Sequence, residues 1–208
     1  MDSVLYREFG SVGYLSLNRP PKNELTVEMF ERLGELFFEK STRLNLKGFI
    51  ISGEGRHFSS GADVDSLKKA LLRGNEWDRD RLSAHLEVFK MIENSVIPVV
   101  AAVKGVCLGA GMELAMACSY RLASKNAIFA LPEAELGIMP GCGGTVRLPH
   151  LVGKGTALEL VLSGRRLLAE EAVSLGLADM LVERSELLSV AKTLIDRVFD
   201  SSFREAFV

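Results

Sequence analysis

The sequence predicts an α/β fold with at least partly parallel strand pairing. Two apolar runs, "GFIISG" at 48–53 and "VIPVVAAV" at 96–103, are short, unbroken and bounded by turn residues. Strands buried on both faces read this way. Between such runs, apolar residues recur at helical spacing: Val27, Phe30, Leu33 and Phe37, then Leu82, Leu86, Phe89 and Ile92. No low-complexity linker or internal repeat interrupts the alternation. One domain over residues 1–208 is therefore expected, with strands alternating with helices.

The elements follow in order. "VLYREFG" and "VGYLSLN" read as a hairpin around a Gly/Ser turn. "NRPPKN" is a Pro-rich turn, and Thr26 is the expected N-cap of the first helix. "GFIISG" is a buried strand, and the loop "EGRHFSSGAD" follows it. Charged residues crowd 73–81, which predicts an exposed turn or frayed helix before the Leu82–Ile92 helix. "VIPVVAAV" is the second buried strand, "KGVCLGAG" a turn and "MELAMACS" a helix. "YRLAS" and "AIFALP" are two more short strands, and "LGIMPGCGG" is a glycine-rich turn. Helices are expected around "TVRLPHL" and "GTALELVLSG", a short helix at "AEEAVSLG" and a strand at "ADMLVER". A last helix carries Leu187, Ala191, Leu194 and Val198 on one side.

Composition narrows the function. Of 208 residues 48% are hydrophobic, enough for a sizeable core. The net charge of −2 gives no electrostatic reason to expect nucleic acid or an anionic membrane surface as partner. No apolar run is long enough to span a bilayer, and "MDSVLYREFG" does not read as a secretory leader. Cys107, Cys118 and Cys142 lack C-x-x-C spacing, so a reduced, cytoplasmic setting is expected. His57, His85 and His150 are scattered, and no metal-ligand pattern is found.

Three constellations bear on chemistry. "GVCLG" at 105–109 has the G-x-C-x-G form of a nucleophile elbow, with Glu133 and His150 downstream as acid and base. Against this, a small residue at a tight strand–helix turn is commonly a buried filler. The turns "SSGAD" and "CLGAGME" each follow a buried strand and are expected to lead into a helix. Such turns present N–H groups without intrahelical partners at the positive end of a helix dipole. Two of them converging could hold a developing oxyanion; singly, each glycine could simply permit a sharp turn. Glu113 lies in the first turn of an otherwise apolar helix, and Glu133 follows Pro132. Burial would raise their pKa values and suit them to proton transfer. The alternatives are a dipole-favoured residue for Glu113 and a solvated loop acid, like nearby Glu135, for Glu133.

"FSSGADV", "PVVAAVKGVCLGAGMELAMACSYRLAS" and "FALPEAELGIMPGCGGTVRL" together resemble the crotonase, or enoyl-CoA hydratase/isomerase, superfamily. The resemblance runs from "NRPPKNELT" to about "GLADMLVER". It implies a spiral of ββα units, with the core over about 1–183. Residues 184–208 would begin a C-terminal helical segment that is short or absent. It implies acyl-CoA thioesters as substrates, with no cofactor beyond the coenzyme A of the substrate. The backbone N–H groups of Ala62 and Ala110 would form the oxyanion hole for a thioester enolate. Glu113 would hold and activate water, and Glu133 would exchange a proton with the substrate. Ser60, Gly61, Asp63, Val64, Gly109 and Gly141 would contact it, and "PGCGGT" would wall the pocket near Glu133.

Having both acids favours a 2-enoyl-CoA hydratase over a double-bond isomerase; a dienoyl-CoA hydratase is a further alternative. A catalytically silent binding protein on this fold and a Cys107 thioester hydrolase are the rivals from other classes. The chain departs from the family pattern at four places. Ala110 stands where glycine is common, Asp65 where a basic residue often helps hold CoA phosphates, and Leu131 where some hydratases are polar. Lys22, Lys68 or Lys69 could compensate for Asp65. The short C-terminus is the fourth departure, and it bears on the homotrimer or hexamer that the resemblance implies. Ala110, Leu131 and Met139 are expected to make an apolar acyl pocket.

Overall fold

The computed structural model describes residues 2–63 and 77–205. The expected substrate contact at Val64, the departure at Asp65, Lys68 and Lys69, and any helix starting just after Asp63 lie outside the described residues.

The hairpin forms as its turn chemistry requires: β1 (Val4–Phe9) pairs antiparallel with β2 (Val12–Leu17), and Gly10 takes a positive φ between them. Helix α1 (Val27–Ser41) starts at Thr26, whose hydroxyl accepts the Met29 N–H. Strand β3 (Gly48–Gly53) follows, then α2 (Trp77–Glu93) and β4 (Val99–Val103). The chain continues through β5 (Val106–Leu108), α3 (Ala110–Ala117), β6 (Tyr120–Ser124) and β7 (Ile128–Ala130). A 3-10 turn, Pro132–Leu136, leads to α4 (Gly144–Val152) and α5 (Lys154–Ser163). Strand β8 (Leu167–Leu168), α6 (Ala169–Ser174), β9 (Met180–Val182), a 3-10 turn at Arg184–Glu186 and α7 (Leu187–Glu205) complete it.

The strands form two layers. A wide sheet has the order β1-β2-β3-β4-β6-β9, parallel from β2 onward. A thin layer has the order β5-β7-β8. Ser59 adds an isolated parallel bridge to Cys107 at the edge of that layer, and Ala62 bridges to Leu25. The chain visits the layers alternately: β3 then Ser59, β4 then β5, β6 then β7. This is a spiral of repeating ββα turns, so segments far apart in sequence stack as neighbours.

Parity explains the unbroken apolar runs. Val99, Ala101 and Val103 face the large core beneath α1, α2 and α3, while Val100 and Ala102 face a second cluster with Ile50 and Leu122. Helix α7 covers that second face through Leu187, Ala191 and Ile195. Ile195 is buried where the sequence pattern placed Val198, which is half-buried; Leu194 packs at the margin. The expected turn at 104–111 contains β5, too short to register as an apolar run of its own.

Candidate active site

Two glycines fold the backbone into the site. Gly61 has φ +95, and Gly109 has φ 50 with ψ −127, conformations that a side chain strongly disfavours. The two turns also touch. A Cβ on Gly61 would lie 2.8 Å from the Leu108 carbonyl oxygen and 3.5 Å from the Ala110 nitrogen. One on Gly109 would lie 3.0 Å from Glu133 Oε1 and 3.9 Å from the Gly61 Cα. The turns around Ala62 and Ala110 therefore pack against each other and against Glu133. Gly109 donates its own N–H to the Ala130 carbonyl at 2.9 Å. The N–H groups of Ala62 and Ala110 have no acceptor among the described residues. Ala110 opens α3, so its N–H also sits at the positive end of that helix. Paired donors of this kind can hold an oxygen that gains negative charge.

Glu113 is 1% exposed in α3, a helix whose every residue is buried. Its Oε1 accepts the Cys142 N–H at 2.8 Å and the Gly144 N–H at 2.7 Å. Burial raises its pKa, and the two amides and the Arg147 charge pull against that rise. Gly144 must be glycine to come so close, since a Cβ there would lie 2.9 Å from Glu113 Oε1. The "PGCGGT" loop thus grips Glu113, while Gly141 itself is exposed at the loop's start.

Glu133 follows Pro132 in the 3-10 turn and is 9% exposed. Burial is the main cause that lifts its pKa to about 7, and the Glu113 charge adds to the rise. Its Oε2 is buried and has no hydrogen-bond partner among the described residues. A buried, unpartnered carboxyl oxygen is costly, and such atoms mark sites where a ligand or water completes the shell.

Three supporting residues are not evident from the sequence pattern. Ser59 Oγ donates to the Asn23 carbonyl at 2.8 Å and accepts the Gly61 N–H at 3.1 Å. Asn23, fully buried with φ 51, sends its amide to the carbonyls of Glu54 and His57 at 2.9 Å each. Together they fix the turn that carries Ala62. Arg147 does the same for the Glu113 loop. Its Nη1 donates to the Cys142 carbonyl and its Nη2 to Glu93 on α2, both at 2.7 Å. The only available signal for Arg147 is a cation on the apolar face of a helix, next to buried Leu148.

The remaining expected residues are placed as follows. Ser60 and Asp63 are half-buried beside the Ala62 turn, and Asp63 lies 3.8 Å from Arg19. Lys22 is exposed and paired with Glu24 at 3.2 Å. Leu131 and Ala110 are buried in the large core, whereas Met139 is 58% exposed. Cys107 is fully buried in β5, burial pushes its thiol well above the ordinary range, and His150 is exposed on α4. This arrangement provides no activated thiolate, and Cys107 packs as a filler.

The spiral α/β chain thus sets two backbone N–H groups and two buried carboxyls in adjoining turns, an arrangement that can bind an oxygen and exchange a proton. The model of the enoyl-CoA hydratase/isomerase family matches residues 7–206, and the chain belongs to that family. It is 38% identical over 192 residues to a probable enoyl-CoA hydratase of Bacillus subtilis, covering 92% of this chain and 74% of the relative. It is 34% identical over 205 residues to the short-chain-enoyl-CoA hydratase of Clostridium acetobutylicum, covering 97% of this chain and 77% of the relative. An enoyl-CoA hydratase structure from Bacillus anthracis superposes with a TM-score of 0.86 at 34% identity, over 94% of this chain and 76% of that one. The chain spans about three quarters of these relatives. It matches 25% of the length of a peroxisomal multifunctional protein of Arabidopsis thaliana. Among the described residues no helix is long and apolar enough to cross a membrane.

Proposed function

We propose that this chain adds water across the C2=C3 double bond of a 2-enoyl-CoA thioester. The supporting observation is the pair Glu113 and Glu133, buried together beside two uncommitted backbone N–H groups. In this reading the thioester oxygen takes the N–H groups of Ala62 and Ala110. Water held by Glu113 attacks C3, and the π-electron pair moves onto the thioester oxygen as an enolate. The enolate collapses as C2 takes a proton from Glu133. The water gives up one proton to the carboxyl pair and C2 receives one from it, so the pair ends with the protons it began with. Each residue's environment suits its part. Glu113, whose burial raises its pKa while two N–H donors and the Arg147 charge oppose the rise, can accept a hydrogen bond from water and take up its proton. Glu133, near 7, can give and take a proton at neutral pH. The paired N–H donors are fixed before reaction, which makes them effective on charge that develops late. No cofactor enters beyond the coenzyme A of the substrate.

Incubation with a short 2-enoyl-CoA in ¹⁸O-labelled water, followed by mass spectrometry of the intact thioester, tests the reading. One labelled water in the product, lost in Glu133→Gln, is the expected outcome. A product of unchanged mass and shifted retention would make the chain an isomerase. Release of free coenzyme A would make it a hydrolase.

A further inference from the structure

A second crevice lies on the opposite face of the wide sheet, under the start of α7. It has a volume of about 140 Å³ and is lined by Ser52, Ala102, Lys104, Arg184, Ser185 and the first residues of α7. This is several times the roughly 10–15 Å³ that one water needs. Its floor is the carboxyl ends of β3 and β4, adjacent parallel strands.

The charges in this crevice are unbalanced. Lys104 is half-buried, and burial and the Arg184 charge both disfavour its ammonium form. Glu54 acts on it in the opposite sense, more weakly than Arg184 does. Neither Lys104 nor Arg184 makes an ion pair within 4 Å among the described residues, and the neighbouring Glu183 is taken by Lys125. The recorded contact of the Arg184 guanidinium is to the Gly55 carbonyl at 3.4 Å. Arg56 adds further positive charge, since it and Arg184 both act on His57. Two like charges held near each other cost stability, more so where one is partly desolvated and the opposing Glu54 charge acts more weakly than the like one. An anion between them would remove that cost.

We propose that this crevice binds a phosphate-class oxyanion. The Arg184 fork and the Lys104 ammonium would neutralise it, and the Ser185 and Ser52 hydroxyls would donate to it. Among the described residues the buried Ser52 hydroxyl has one contact, a long one of 3.4 Å to Ser16 Oγ in which either oxygen can donate, so its proton can turn to an anion at little cost. The phosphate could be a free ion or one carried on a nucleotide such as coenzyme A. The assignment does not depend on the reaction at Glu113 and Glu133, which lie across the sheet.

The test is a titration of the full chain with inorganic phosphate, followed by amide NMR, against chloride at equal ionic strength. Saturable shifts confined to 52–56, 102–105 and 184–188, absent with chloride, are expected. Arg184→Gln, at an exposed position, should weaken apparent binding at least threefold, and Lys104→Met with Arg184→Gln at least tenfold. A parallel titration with coenzyme A separates the sources. Shifts of the same amides at lower concentration, displaced by inorganic phosphate, would assign the site to a nucleotide phosphate. Non-saturating shifts, equal shifts with chloride, or binding unchanged in the double variant would overturn the proposal.

Discussion

Gly61→Ala probes whether the contact between the two turns controls the chemistry. Gly61 has φ +95, so alanine there carries backbone strain of about 1–3 kcal/mol. The new methyl would also stand 2.8 Å from the Leu108 carbonyl oxygen. An ordinary C···O approach is about 3.3 Å or more, so one turn must retreat by roughly half an ångström. The Leu108 side cannot yield cheaply. Its N–H is bonded to the Ser59 carbonyl at 3.0 Å, and the Gly109 N–H to the Ala130 carbonyl at 2.9 Å. The strain and overlap together predict a loss of about 2–5 kcal/mol, within the 5–15 kcal/mol typical of a folded domain. Displacing one of a pair of oxyanion donors costs about 10²–10³ in turnover. Steady-state hydration kinetics should therefore show kcat reduced at least about a hundredfold, with a lowered melting temperature. Gly10→Ala is the control: it has φ +65 and open space around the new methyl. It should lose about 1–2 kcal/mol and keep full turnover. A Gly61→Ala protein that turns over within threefold of the parent would refute the reasoning, because the turns would then tolerate separation.

Other consequences can be checked independently. Glu133 is lifted from 4.5 to about 7, so the folded state holds a proton that the unfolded state releases in that window. Stability should therefore fall as pH rises from about 5 to 8, by up to about 3 kcal/mol. Glu133→Gln should flatten that slope in urea titrations at the two pH values, and an unchanged slope would contradict the assignment. Arg147→Met removes the support behind Cys142 and should lower kcat about tenfold or more with KM little altered; the cost of losing this buried cation is about 2–4 kcal/mol. Arg147→Lys should restore part of kcat, and equal failure of both variants in kcat and KM would point to general unfolding. Ser59→Ala leaves the Gly61 N–H without its acceptor and should cost about 1–3 kcal/mol by thermal melting. Val146, Leu158 and Leu162 lie exposed on α4 and α5, so sedimentation should show self-association, which a clean monomer would disprove.

The sequence was legible where periodicity and punctuation agree. Thr26 announces α1, unbroken apolar runs announce β3 and β4, and the hairpin is set by its Gly/Ser turn. Both acids and both turns stood out as chemical anomalies, but their residues left them open to plainer readings, and only the family resemblance attached roles to them. What stayed hidden depends on contacts between distant segments. Strand β5 is three residues long and exists because β7 and Ser59 pair with it. Asn23 reads as an ordinary turn residue, yet the structure buries it next to the turn that carries Ala62. Arg147 shows in the sequence only as a cation beside Leu148, and its contacts appear only when the Cys142 carbonyl and Glu93 are brought around it. Ile195 replaces Val198 on the buried face of α7 because position along the sheet, which periodicity does not encode, decides which turn of the helix touches it.

The two layers divide their labour unequally. The wide sheet runs through six strands with apolar packing on both faces, whereas the thin layer has three strands of two or three residues each. Yet the residues assigned to chemistry hang from the thin layer: Gly61 beside Ser59, Ala110 after β5 and Glu133 after β7. Local opening free energies follow the number of buried contacts an element holds. Mild denaturant or gentle heating should loosen these short strands while the wide sheet still holds. Such a protein would lose its reactivity well before its circular dichroism reports any melting, and would regain it on dilution without having to refold.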